Sequence, residues 1–404
     1  MTNRLKQQLR SLSAIKGCLV SASQEKIPIL DAMRFVAALT VMLVHYELIM
    51  GHFVLYGTAS TSALSWFFVL SGFILSYTYP AVQGSASYKR YYLHRVIRIF
   101  PVYLLAVLVS SLFVSTAYLN VGEGFFTEVN RPFVLRYDLP EPLDVSFWTM
   151  ATFRHLTFTQ SLSNIETLNL VFNGPLWSLV LEMYFYLCFP ALLILLRKID
   201  TKARVAFAFV GFYLLQFLLI QINLPDAEQY SLLNLNIPVY TNPFIRGIEF
   251  ILGMLVYKAF VLYPHRTNSA DIQTRWIAAS IAVACYVASV YLTHSYVPYQ
   301  YGMYFATVPS VCFLVFALSR MNWHANARAT RLCVLLGGLS YILYCFHWPV
   351  MEMLQFFNVL PDSWPFPINL GLVVAIVVAV SYFIYRFIET PIRKALYRHF
   401  EIPK

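Results

Sequence analysis

The chain has 404 residues, of which 59% are hydrophobic types and only 12% are charged, and its net charge is +10. Soluble domains carry roughly twice that charged fraction because charge must cover their exterior, so a water-soluble fold is excluded and the exterior must face lipid. The basic residues stand in short clusters between long apolar runs, the pattern of cytoplasmic loops, which argues for membrane topology and against nucleic acid.

The first 27 residues are polar and basic, with Leu5, Leu9, Leu12, Ile15 and Leu19 at helical spacing. This predicts an amphipathic segment on the inner membrane surface, with the first apolar run serving as an uncleaved signal anchor. A membrane-crossing helix needs about 20 predominantly apolar residues. Ten such spans are predicted, at 30–50, 61–80, 96–118, 170–196, 204–223, 243–263, 276–294, 301–319, 332–356 and 367–388. The stretch from Phe147 to Phe158 is too short and too polar to cross and is expected at the interface. It belongs to the largest predicted outer loop, about 120–169.

Alternate connections are basic. Lys89 and Arg90 follow the second span, Arg197, Lys198 and Lys202 the fourth, Lys258 and Arg266 the sixth, and Arg320 and Arg328 the eighth. Arg393, Lys394 and Arg398 follow the tenth. The connections around Gly51, Asp226, Thr293 and Asp362 have no Lys or Arg. By the positive-inside rule both termini are cytoplasmic, as an even number of spans requires. The predicted architecture is an all-α, polytopic membrane helix bundle: a cytoplasmic segment 1–27, a transmembrane domain 28–394 and a tail 395–404. The six cysteines form no CxxC pair and all but Cys18 lie in apolar runs, so neither a disulfide framework nor a metal site is expected.

Ionisable residues inside a span are costly and mark candidate functional positions. They are His45 and Glu47 in span 1, Glu182 in span 4, Arg246 and Glu249 in span 6, and His347 and Glu352 in span 9. Arg34 and His45 are eleven residues apart, which is about 16 Å and about three turns, so both lie on one helical face. The pair reads as a cation for a phosphate at the inner edge and a general base deep in the bilayer. It reads equally as a snorkelling arginine and a histidine satisfied by a neighbouring helix. Arg95 and Arg98 share a face at the head of span 3, where two guanidinium forks suit a phosphate, although ordinary inside-positive topology explains them too. Glu182 needs a partner, either His45, an acceptor hydroxyl or a structural Arg or Tyr.

Five stretches then appear in order: Arg34-x10-His45 preceded by Leu30-Asp31, Phe67-Phe68-x-x-Ser71-Gly72-Phe73, Arg95-x-x-Arg98-Ile-Phe-Pro101, Trp177-Ser178-x-x-x-Glu182-x-x-Phe-Tyr186 with Pro190, and Leu339-Ser340-Tyr341-x-x-Tyr344-x-x-His347-x-Pro349. With them the sequence resembles the acyltransferase-3 family of integral membrane O-acyltransferases, which modify hydroxyls of carbohydrates and some small molecules. The resemblance runs from about Leu30 to Pro391. It implies a multi-pass enzyme of the plasma (inner) membrane that holds no permanent cofactor and uses acetyl-CoA or another acyl-CoA as donor. The acceptor it implies is a carbohydrate or glycolipid. It implies His45 as general base with Glu182 supporting it, and Arg34, Arg95 and Arg98 on the donor's phosphates. It implies Ser71, Trp177, Ser178 and Tyr186 as candidate substrate contacts. His347 is implied to pack span 9 rather than to act as a second base. Met183 stands where the family usually has an acidic or polar residue. Because only a short tail follows the last span, the extracytoplasmic hydrolase-like domain of some members is not expected. Two other classes compete: a glycolipid or sugar transporter, disfavoured because no internal repeat is detectable, and a carrier that hands acyl groups to a partner enzyme.

Overall fold

The computed structural model describes residues 26–50, 57–82, 84–122, 145–162, 170–223, 237–263, 269–296, 305–321, 327–359 and 364–401. The predicted segment at 1–27 falls almost wholly outside them, as does the outer loop between 123 and 144. Every regular element among the described residues is helical: α1 Pro28–Met50, α2 Gly57–Thr78, α3 Ser85–Val121, α4 Val145–Leu156, α5 Trp177–Leu195, α6 Lys202–Asn223, α7 Ile237–Tyr240, α8 Pro243–Leu262, α9 Ser269–Tyr296, α10 Val308–Ser319, α11 Ala327–Phe356, α12 Phe366–Ile384 and α13 Thr390–His399. A π-helical turn, Tyr385–Glu389, joins the last two.

Among the described residues, eight helices are long and apolar enough to cross a membrane. They are α1, α2, α3, α5, α6, α9, α11 and α12, matching eight of the ten predicted spans. The remaining two are α8 and α10. Helix α8 carries Arg246, Glu249 and Lys258, more charge than that apolarity limit allows. Its first two charges are fully buried and paired, Arg246 to Glu249 at 2.6 Å, with Gln216 Nε2 donating to the same carboxylate oxygen at 3.2 Å. Helix α10 has 12 residues, or about 18 Å of rise, which is short of a bilayer core.

Two close helix contacts organise the bundle. Where α2 meets α8, a Cβ on Gly72 would stand 2.0 Å from the Phe250 carbonyl oxygen, and one on Gly253 would stand 2.0 Å from that of Val69. Each glycine lets the other helix's backbone approach, as small residues do in lipid. Phe68 lies against Arg246, and Tyr77 against Tyr257 and Phe260, so α2 and α8 run parallel. Where α1 meets α11, the Asp31 side chain occupies the space a Cβ on Gly337 would need, 2.6 Å away. His45 meets His347 further along both helices, so these two are also parallel.

Prolines interrupt three of the long helices, and at two of them a side chain from another part of the chain satisfies the carbonyl left without its N–H. Pro190 frees the Tyr186 carbonyl, which accepts from Tyr91 Oη at 2.9 Å. Pro349 frees the Cys345 carbonyl, which accepts from Asn173 Nδ2 at 3.0 Å.

Phe147 and Ala151 of the short helix α4 pack with Val114 and Ala117 of α3. Tyr103 Oη donates to the His155 carbonyl at 2.9 Å. His155 is fully buried. Its Nδ1 donates to the Ala151 carbonyl at 2.8 Å, while Nε2 has no hydrogen-bond partner.

Two outcomes are expected. Gly72→Val or Gly253→Val must push α2 and α8 apart, lowering the melting temperature of detergent-purified protein by several degrees, whereas Gly211→Ala, with open space around it, should not. Burial drives the His155 pKa down to about 4, so the unfolded chain binds a proton at this residue below pH 6.5 and the folded chain does not. Stability is therefore lost as pH falls from about 6.5 towards 4, by up to roughly 3 kcal/mol. The melting temperature should fall less steeply over that window in His155→Phe than in wild type, and an equal slope would exclude this origin.

Candidate active site

Helices α1, α2, α3, α5 and α11 line an open cleft. Two cations line it: Arg34 from the second turn of α1 and Arg98 from α3. Asp31, one turn before Arg34, lies within electrostatic reach of both. Helix α5 contributes Ser178, Glu182 and Tyr186, and α11 contributes Ser340, Tyr341 and Tyr344. Phe67 and Phe68 of α2 complete the apolar side.

The polar wall is held by short bonds between helices. Ser71 Oγ donates to Glu182 Oε1 at 2.6 Å, and Tyr186 Oη donates to the same oxygen. Ser178 and Tyr344 share a 2.6 Å hydroxyl–hydroxyl bond, and Tyr344 Oη also donates to the Pro175 carbonyl at 3.1 Å. Tyr341 Oη donates to the Ile99 carbonyl at 2.7 Å, tying α11 to α3 beside Arg98. These partners fix the directions of the groups that line the cleft.

His45 does not line this cleft; it lies beyond it. Phe67, on the cleft wall, packs edge-on against Tyr344 at 5.6 Å, and Tyr344 packs against His347 at 5.8 Å. The partly exposed His45 meets the fully buried His347 across a 2.9 Å Nδ1···Nε2 contact with the rings coplanar. Trp348 packs edge-on against His45 at 5.2 Å. A guanidinium-lined cleft thus leads, through one aromatic layer, to a histidine pair.

Residues 27–386 match the family model described as an acyltransferase domain, of the acyltransferase-3 type. The chain belongs to this family. Among its relatives, the peptidoglycan O-acetyltransferase OatA of Listeria monocytogenes is 24% identical over 92% of this chain and 56% of its own length. A Bacillus subtilis protein provisionally named as a peptidoglycan O-acetyltransferase is 25% identical over 93% of this chain and 56% of its own. A Staphylococcus aureus protein provisionally named as an O-acetyltransferase is 22% identical over 95% and 60%. The chain therefore spans somewhat over half the length of these relatives. No solved structure matches.

Within the acyltransferase-3 frame the predicted site residues separate into groups. The cleft gathers Arg34, Arg98, Ser178, Glu182 and Tyr186. Ser71, only 2% exposed, acts on Glu182 instead of facing the cleft. Arg95 is directed behind it, with its guanidinium over the rings of Tyr79 and Tyr186 at 5.3 and 5.6 Å. Trp177 is packed on Tyr240 at 4.7 Å and on Phe68. Glu182 bonds to Ser71 and Tyr186, the hydroxyl partners, among its described contacts. Eight cleft residues were not singled out in advance as site residues: Leu64, Phe67, Phe68, Ile99, Leu179, Ser340, Tyr341 and Tyr344. All but Leu64 lie inside the recognised stretches, which was the available signal.

Because Ser71 and Tyr186 share one Glu182 oxygen, their removal is expected to be non-additive. Ser71→Ala and Tyr186→Phe should each cost about 1–3 kcal/mol. A double variant whose loss in melting temperature equals the sum of the single losses would show that the two hydroxyls act independently.

Proposed function

We propose that this chain is a membrane O-acetyltransferase that takes an acyl group from acyl-CoA at the cytoplasmic face and passes it to a hydroxyl of a surface carbohydrate or glycolipid. The observation that carries the reading is the order of groups along one path: two guanidinium cations in an open cleft, a carboxylate held by two hydroxyls, then a partly exposed histidine behind an aromatic layer. The names of the relatives, each an O-acetyltransferase, support the acetyl group and a carbohydrate polymer as acceptor.

In this reading both termini are cytoplasmic, and Arg34 and Arg98 hold the donor's phosphates as charge-assisted bonds. Arg95 supports the wall by stacking behind Tyr186. The donor's thioester end must pass Phe67 and Tyr344 to come within reach of His45. There the base removes the proton of the acceptor hydroxyl as its oxygen attacks the thioester carbonyl. The carbon–sulfur bond breaks, the new ester forms, and the proton held by His45 neutralises the departing CoA thiolate. Glu182 lies on the donor side of the aromatic layer, where it orients the donor's arm.

Binding and turnover of radiolabelled acetyl-CoA by detergent-purified protein test the proposal. His45→Ala should bind the donor with wild-type affinity and lose transfer by at least about 100-fold. Arg34→Ala should weaken binding by about 10- to 100-fold, the worth of a charged hydrogen bond. If wild type neither binds nor turns over any acyl-CoA offered with carbohydrate acceptors, the reading fails and substrate transport becomes the reading to test.

A further inference from the structure

The contact between His45 and His347 has a direction that the surrounding atoms determine. His347 Nδ1 lies 3.1 Å from the Leu343 carbonyl oxygen, one turn back on α11. A carbonyl oxygen only accepts, so His347 Nδ1 carries a hydrogen. His347 is completely buried; the Tyr344 backbone also accepts from it, and its Nε2 faces a second imidazole. A second proton would make it a cation in a site without exposed surface, which costs several kcal/mol unless an anion pairs with it. As a neutral ring protonated on Nδ1, His347 presents a bare Nε2. That nitrogen is 2.9 Å from His45 Nδ1, so His45 must donate from Nδ1, and its own Nε2 is left with a free lone pair.

We propose that His347 is a positioning residue: it locks His45 in the Nδ1–H tautomer and leaves Nε2 as the basic atom. The proposal rests on the reading of His45 as the base of the transfer reaction and assigns the atom that performs it. An imidazole free in water favours the opposite tautomer, with hydrogen on Nε2, in which the outward nitrogen could donate but not accept. The relay runs from the Leu343 carbonyl, through His347, to His45. It also supports the charged state of the reaction: once His45 Nε2 has taken the hydroxyl's proton, the Nδ1–H bond to His347 becomes charge-assisted and stronger. Trp348, edge-on to the His45 ring, and the coplanarity of the two imidazoles limit rotation of the base away from its path. His347 is thereby more than packing for α11, although it touches neither donor nor acceptor.

Two readouts test this. The first needs no activity: nitrogen NMR of 15N-histidine-labelled protein in lipid nanodiscs, with the His45 signals identified by their loss in His45→Ala. Wild-type His45 should be protonated on Nδ1 and bare on Nε2, and in His347→Leu it should revert to the Nε2–H form. A wild-type His45 carrying its hydrogen on Nε2 would overturn the proposal outright, whatever the variants do. The second readout is kinetic. His347→Leu should lower kcat by about 10²- to 10⁴-fold, the scale of losing a base's tautomer partner, with less than about a threefold change in KM for acetyl-CoA. His347→Gln, whose side-chain oxygen can accept near the position of Nε2, should recover at least about tenfold of that loss. Equal rates for the Leu and Gln variants would reduce His347 to packing and sink the proposal. Failure of wild type to transfer any acyl group would overturn the proposed reaction instead, and the tautomer measurement would still decide the arrangement of the pair.

Discussion

The parallel docking of α1 on α11 is the contact on which the rest of the site depends. Gly337 has no side chain, so Asp31 can seat against the α11 backbone, and this sets the register of the two helices. From that fixed point Arg34 reaches the cleft one turn on, and His45 arrives level with His347 some three turns further. A slip of one residue would rotate a helical position by about 100°, turning His45 away from its partner. The register of one helix pair therefore sets both the place of Arg34 in the cleft and the meeting of His45 with His347.

Lipid imposes a second constraint. Away from water, a carbonyl freed by a proline is stabilised by a donor from elsewhere in the chain. Tyr91 supplies one to α5 and Asn173 supplies one to α11. Both bonds stand next to the site: Tyr186, whose carbonyl Tyr91 caps, is a cleft residue, and Cys345, capped by Asn173, lies two residues before His347. The prolines lie in the two helices that carry most of the polar wall, and the capping side chains satisfy the carbonyls they free. The Arg246–Glu249 pair meets the same constraint differently, by neutralising charge within one turn of a helix.

The cleft has two unlike ends. One presents the guanidinium groups of Arg34 and Arg98. The inner end is closed by Phe67 and Tyr344, with the hydroxyl of Tyr344 tied to Ser178 and to the Pro175 carbonyl. An aromatic layer, Phe67 against Tyr344, stands between the cleft and the pair of His45 and His347.

Composition and periodicity determined the membrane setting, the helical class and most of the spans, because a bilayer demands long apolar runs whatever the tertiary arrangement. They also exposed Arg34, His45 and Glu182, since an ionisable residue in an apolar run is costly enough to stand out. The same argument could not assign directions. Arg95 and Arg98 are three residues apart and read alike, yet only Arg98 lines the cleft; helix rotation against its neighbours decided that. Trp177 belonged to a recognisable stretch and is packed core, whereas Tyr341 and Tyr344, which look like ordinary aromatic filling, form the wall. Arg246 and Glu249 read as candidates and are a buried pair. The pairing of His45 with His347 joins residues 302 positions apart, and no local pattern encodes it. Hydrophobic period specifies that a residue faces inward, but the partner it meets there follows from packing between distant helices.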